Sequence, residues 1–443
     1  MTVSPFDSAF LGPLVSDPEI AALFSDEARL RAMLAVEAAL ARAEGRTGTI
    51  SPDAAARISE VALSFVPDAA GLGAGVATDG VPVPALVKAL RAAVGAPHAS
   101  FVHWGATSQD IVDTAFVLQA LAILDLLTTR TKLILAGLAR LADQHRTTVM
   151  PGRTRYQQAT PTTFGLTAAV WGAPLIRTLD RLKELRPRLA LLSFGGASGN
   201  LSALGGDALA VEQAFADELG LALPPVPWHA NRDGIAELAS VAAILTGALG
   251  KMGLDVLLLA QSEVAEIRVA GAGGSSTMPH KANPIASEML VTLARVTADQ
   301  VGTLHHALGH AFQRDGAAWL TEWLTLPALL TATGAATRVA LDLTGALEVR
   351  AEIARAHVTD APALGLSEAV TFALAAHMPR ADAEKIVKAG VAAALASGKT
   401  LMAEVQTRTE APVDWSAFAD PASATGAAAV FVDRFLVAAA AAI

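Results

Sequence analysis

Residues 271–288 run GAGGSSTMPHKANPIASE. Three glycines precede a serine pair, and Pro279 and Pro284 bound the segment, which describes a loop able to move. A base that must approach a substrate carbon, exchange a proton with it and withdraw suits such a loop. Lys281 and Asn283 offer a charge and an amide to a substrate carboxylate. The competing reading is an ordinary glycine–serine linker with a solvated lysine.

His305, His306 and His310 raise a metal as a second possibility, since the last two stand one helical turn apart if the segment is helical. A catalytic zinc site needs a third ligand and an open position. No partner stands out in the sequence, so no metal is expected. Arg232, after Asn231 at a helix start, either faces the substrate or has a surface or packing role. Thr107 and Ser108 directly precede a long apolar segment, where hydroxyls cap a helix and the helix N-terminus itself attracts anions.

The elements that must hold these groups are helical. Hydrophobic residues make up 53% of the 443, mostly alanine and leucine, while aromatics are 5%. Strong helix formers dominate and strand formers are thin, so the class is all-α. Long apolar segments occupy about 110–145, 161–187, 232–266, 285–312 and 318–347; the first would extend roughly 54 Å at the helical rise. Five such helices describe an elongated bundle. The periodic segment 27–46 is expected to stop at Gly45, and the glycines and prolines of 66–83 to form a loop. Past Arg350 the helices shorten, which gives domains 1–109, 110–350 and 351–443.

A net charge of −9 and no basic run offer nucleic acid no footing. Absence of cysteine excludes disulfides, thiolate metal sites and a cysteine nucleophile, and fits a cytoplasmic protein. Charges are expected to interrupt the apolar runs before membrane-spanning length, so no membrane is expected. A mean hydropathy of +0.44 suggests helices buried on several faces, as in a self-associating core.

The string GSSTMPHKANP resembles the signature of the fumarase/aspartase superfamily. HWGATSQDIVDT (103–114) and GRTRYQQATPTTFG (152–165) resemble its first and second substrate-binding regions, in order and spacing. The resemblance implies a three-domain fold with a central bundle of long helices, a homotetramer with a 20-helix core, and active sites assembled from three chains. It implies that Ser275 is the catalytic base, that Lys281 acts with it, and that Asn283 holds a substrate carboxylate. It also implies that His103, Thr107, Ser108, Arg153, Thr154 and Glu288 bind substrate, with no cofactor.

One departure is informative. Most lyases of the superfamily carry histidine where this chain has Arg155, paired with a glutamate that aligns with Glu288, to help protonate a poor leaving group. A carboxylate leaving group needs no such help, because its conjugate acid has a pKa of about 4. The cycloisomerase branch, which lactonises 3-carboxy-cis,cis-muconate, lacks the histidine too. FGGASGNLSALG (194–205), PWHANRD (227–233) and WLTEWLTLP (319–327) resemble that branch, although Ala282 stands where its members often have arginine. The expected substrate is therefore a small polycarboxylate, with Arg155 binding a carboxylate or pairing with Glu288. Adenylosuccinate lyase or another lyase of the superfamily is the alternative, and a non-catalytic scaffold, as in lens crystallins, a third reading.

Overall fold

A computed structural model of the chain describes residues 4–271, 273–274, 278 and 281–443. The expected base, Ser275, lies outside the described residues. Helices dominate, and the five long ones run Ser108–Gln144, Phe164–Leu189, Asp233–Leu259, Ile285–His306 and Gly316–Ala346. Among the described residues, six short strands make three antiparallel pairs: β1 (Val149–Thr154) with β2 (Gln157–Thr163), β3 (Ile267–Val269) with β6 (Leu347–Val349), and β4 (Gly273–Gly274) with β5 (Ala282–Asn283).

The chain divides into two compact units, and the division falls inside each of the five long helices. The first comprises Met1–Thr129, Asp180–Gly247 and Leu293–Ala336; the second comprises Arg130–Leu179, Ala248–Thr292 and Thr337–Ile443. In the first unit an apolar core gathers Leu34, Leu40, Ile58, Leu86 and Leu90 around Phe194 and Phe215. Those two rings meet edge-on with centroids 5.2 Å apart, a favourable aromatic geometry. The second unit has a smaller core of Leu366, Val370, Leu374, Val387, Leu401 and Val405.

Several expected boundaries move. The helix Asp26–Thr47 passes through Gly45 and stops at Gly48, whose φ of 78° is the left-handed cap that glycine adopts freely. Gly45 is spent on packing instead, because a Cβ there would meet the Ala55 side chain at 2.4 Å. The expected loop at 66–83 contains a helix, Ala69–Asp79. Its Gly75 lets the neighbouring helix Val83–Val94 approach, since a Cβ would meet that of Ala85 at 2.7 Å. The segment 232–266 is helical only to Leu259. Glu266 N–H then returns to the Leu259 carbonyl, and the chain enters β3.

The fourth long helix ends at His306, so His310 is not one turn along the same helix. Among the described residues, His305 bonds Ser240 Oγ, whereas His310 lies 3.7 Å from Glu322. Charge spacing was also a weaker barrier than expected. Ser108–Gln144, Asp233–Leu259 and Gly316–Ala346 are each long and apolar enough to cross a membrane by length and composition. Between 50 and 61% of those apolar windows is buried within the chain itself, and Ile244, Leu254, Leu320 and Leu324 leave apolar surface uncovered.

Candidate active site

The expected site residues that the structure describes fall into two sets, one in each unit. In the first unit, HWGATSQDIVDT opens the helix Ser108–Gln144, and its organising group is Asp110. This fully buried carboxylate accepts four hydrogen bonds. Oδ1 takes Gly195 N–H at 2.9 Å and His229 Nε2 at 2.7 Å, while Oδ2 takes Gly196 N–H at 3.0 Å and Thr107 N–H at 2.8 Å. One side chain thus joins the strings at 103–114, 194–205 and 227–233. The bond back to Thr107 is half of a capping box. The hydroxyls of Thr107 and Ser108 are half-buried at this helix start, a position where backbone N–H groups favour an anion.

Glycine is required around this junction. Gly105 has φ of 71°, and a Cβ there would lie 2.6 Å from Leu204; Gly196 has φ of 66°. His103 adopts φ of 62°, uncommon for a residue with a side chain, and its Nδ1 lies 2.6 Å from Glu37 Oε1. Burial works against charging this imidazole, but the Glu37 carboxylate outweighs it and raises the His103 pKa. On the other side of Glu37, burial first and Glu37 second push the Glu44 carboxyl up to about 9.

One turn beyond Asp110, Asp113 anchors a second buried network. Arg232 Nη1 meets Asp113 at 2.6 Å and Nη2 meets Glu322 at 2.5 Å, while Trp319 Nε1 donates to Asp113 at 3.0 Å. Burial of Arg232 lowers its pKa, yet the two carboxylates hold it above the usual guanidinium range. Arg232 therefore serves this interior junction. Gln109 continues the network, donating to Asp113 and accepting from Arg314 Nε at 2.9 Å.

The second unit holds the other set. β1 and β2 form a hairpin whose tip is Arg155–Tyr156, both with positive φ (51° and 65°). This matches the twist that two-residue hairpin turns require, although neither residue is a glycine or asparagine. The register shifts between Pro151 and Arg153, and a Cβ on the intervening Gly152 would meet the Thr160 carbonyl at 2.7 Å. Arg153 grips the buried Glu266 with both terminal nitrogens, at 2.8 and 2.5 Å. Thr154 and Arg155 are exposed at the tip. Among the described residues no hydrogen bond or ion pair occupies the Arg155 side chain, and none joins it to Glu288. Arg153 and Arg155 line a cavity of about 810 Å³ with Tyr156, Trp171, Lys251 and Asp255.

Lys281 and Asn283 flank the β4–β5 pairing, in which Gly273 faces Asn283 and Gly274 faces Ala282. Lys281 is exposed, Asn283 is half-buried, and Glu288 is exposed in the first turn of the helix Ile285–His306. No described residue takes the Lys281 ammonium.

Asp110, His229, Arg314, Glu266 and His357, whose Nδ1 lies 2.6 Å from Glu266 Oε1, carry much of this geometry and were not singled out from sequence. Asp110 was within reach, as the acid three residues into a helix after a threonine. Glu266 was not, because its partners lie 113 and 91 positions away.

The helical architecture and these three segments define a lyase of the fumarase/aspartase type. The chain matches the lyase family model over residues 14–298 and belongs to that family. It is 42% identical to 3-carboxy-cis,cis-muconate cycloisomerase of Pseudomonas aeruginosa, over 94% of this chain and 93% of the relative. It is 37% identical to nitrosuccinate lyase of Streptomyces davaonensis, over 97% and 94%. The solved structure of the 3-carboxy-cis,cis-muconate lactonizing enzyme from Pseudomonas putida superposes with a TM-score of 0.92 at 36% identity, covering 98% of this chain and all of that one.

Proposed function

We propose that the protein catalyses reversible lactonisation of 3-carboxy-cis,cis-muconate to 4-carboxymuconolactone, a step of protocatechuate breakdown towards β-ketoadipate. The observation that carries this reading is Arg155, an exposed guanidinium without a partner among the described residues, at the position where a proton-donating histidine would serve a poor leaving group. Similarity to the cycloisomerase along nearly the whole of both chains supports it.

In the forward direction a substrate carboxylate oxygen adds to one alkene carbon, and a proton is delivered to the neighbouring carbon. An anionic carboxylate becomes a neutral ester as the carbon gains its proton, so the step takes up one proton, which Ser275 regains from solvent, with no change of redox state and no cofactor. Positioning the attacking oxygen makes the addition intramolecular, which contributes up to about 7–11 kcal/mol in ideal cases. Ser275 supplies the proton, and Lys281 and Asn283 stabilise charge developing on the adjacent carboxylate. His103, Thr107 and Ser108 hold another carboxylate, with Arg155 on a third.

These groups lie in two sets, and we propose that copies of the chain bring them together in a homotetramer with shared sites. Covering the apolar faces of the long helices would drive that assembly. We further propose a soluble, cytoplasmic enzyme that needs no metal.

A second reading, elimination of an anion from a substituted succinate, is favoured by the similarity to nitrosuccinate lyase. An ultraviolet assay with 3-carboxy-cis,cis-muconate, nitrosuccinate and adenylosuccinate, each with and without chelator, separates these readings. Turnover of carboxymuconate that survives the chelator is expected; turnover of only another substrate would overturn the assignment. Ser275→Ala is expected to lower kcat by roughly 10²–10⁴-fold, the usual range for a lost acid–base group. An unchanged rate would remove the serine from the mechanism.

A further inference from the structure

We infer that Glu266 is a positioning residue, which neutralises Arg153 and leaves Arg155 as the hairpin's guanidinium for a polycarboxylate. This rests on the reading of the site given above and adds a residue to it. Glu266 is 1% exposed. Its Oε1 accepts from Arg153 Nη2 at 2.5 Å and faces His357 Nδ1 at 2.6 Å; its Oε2 accepts from Arg153 Nη1 at 2.8 Å.

The backbone of Glu266 is equally committed. Its N–H donates to the Leu259 carbonyl at 3.0 Å, and its carbonyl accepts Arg350 N–H at 2.9 Å, directly before β3 pairs with β6. One buried carboxylate therefore joins the β1–β2 hairpin, the strand that leads into 271–288, and the helix Ala351–Thr359 carrying His357. A carboxylate removed from water is costly unless paired, and a bidentate guanidinium is the pairing that satisfies it best.

The two arginines of RTR consequently differ in kind. A substrate carboxylate could reach the terminal nitrogens of Arg153 only by displacing Glu266 from a buried fork. Arg155, two residues on at the tip, faces no such competition. Glu266 holds the tip against the root of the catalytic loop and keeps Arg153 from binding substrate in a wrong register.

The test uses the full-length protein and two independent readouts. Binding of tricarballylate, a non-reacting polycarboxylate probe, is measured by calorimetry on wild type, Arg155→Gln, Arg153→Gln and Glu266→Gln. Loss of a charge-assisted contact predicts roughly tenfold or greater weakening in Arg155→Gln, and about twofold or less in Arg153→Gln. Glu266→Gln, which frees Arg153, is expected to bind as tightly as wild type or tighter. Failure of the wild type to bind the probe, or equal weakening by both arginine variants, would overturn the inference.

Turnover of carboxymuconate is the second readout. Glu266→Gln and the milder Arg153→Lys, which keeps the charge but loses the fork, are expected to lower kcat by about tenfold without raising KM. A purely structural Glu266 would lower thermal stability and leave both constants of the folded fraction unchanged, which would refute the positioning role. If the wild type binds the probe as expected but does not turn over carboxymuconate, the reaction assigned above fails while the division between the two arginines stands.

Discussion

The surroundings of Asp110 and those of Arg155 are opposite solutions to placing charge in a helical protein. Asp110 is buried and takes four donors from three separate segments. Arg155, Lys281 and Asn283 sit on a hairpin tip and a short strand pair, and no described residue neutralises either cation. A saturated carboxylate cannot bind anything more, so its work is to hold HWGATSQDIVDT in shape. An unpartnered cation contributes little to folding and keeps its full attraction for an anion. Sequence motifs of equal prominence therefore divide into a scaffold and a binding surface.

The sharpest way to break that comparison is Asp110→Asn. The amide keeps the shape, but its NH₂ must face backbone N–H donors, and His229 loses its anion. Leaving buried donors without their charged acceptor costs about 1–3 kcal/mol or more, read as a fall in the urea midpoint at constant slope. A loss below about 1 kcal/mol would show that the junction is not structural. Lys281→Gln probes the other side. Stability is expected to stay within about 0.5 kcal/mol, as for an exposed side chain with no partner. KM for carboxymuconate is expected to rise by roughly 10-fold or more, from the loss of a charged hydrogen bond. Altered stability with unchanged KM would place Lys281 in the scaffold instead.

Much of this was legible from residues alone, and the physical reasons are specific. The helix beginning at Ser108 announces itself by an apolar run without breakers and a hydroxyl–acid start. The expected stop at Gly45 and loop at 66–83 failed for one shared reason. Glycine serves both to end a helix and to let two helices touch, and only the Ala55 and Ala85 contacts decide which. The segment 152–165 was visible as a motif but not as part of a hairpin, since the turn residues are arginine and tyrosine rather than asparagine and glycine. Glu266, Arg232 and His357 draw their roles from partners far along the chain, which no local spacing encodes.

The Glu37 carboxylate acts on two neighbours: it raises the pKa of His103, and it adds to the burial that keeps the Glu44 carboxyl neutral. Burial, with Glu37 second, pushes the Glu44 carboxyl up to about 9 from its ordinary 4.5. Between those values the folded state holds a proton that the unfolded state has released, so stability falls as pH rises across that window. His103 acts in the same direction: its raised pKa gives a contribution that is complete below its ordinary value of 6.5 and is lost as pH climbs through the folded value. Glu44→Gln removes one titrating group and leaves the other. Its urea midpoint should decline less steeply from pH 6 to 9 than that of the wild type, by roughly 1 kcal/mol per pH unit in free energy. The slope that remains should flatten further when His103→Gln is added. Parallel wild-type and Glu44→Gln curves would mean that Glu44 ionises normally, and that a cation or water reaches its carboxyl in the folded state.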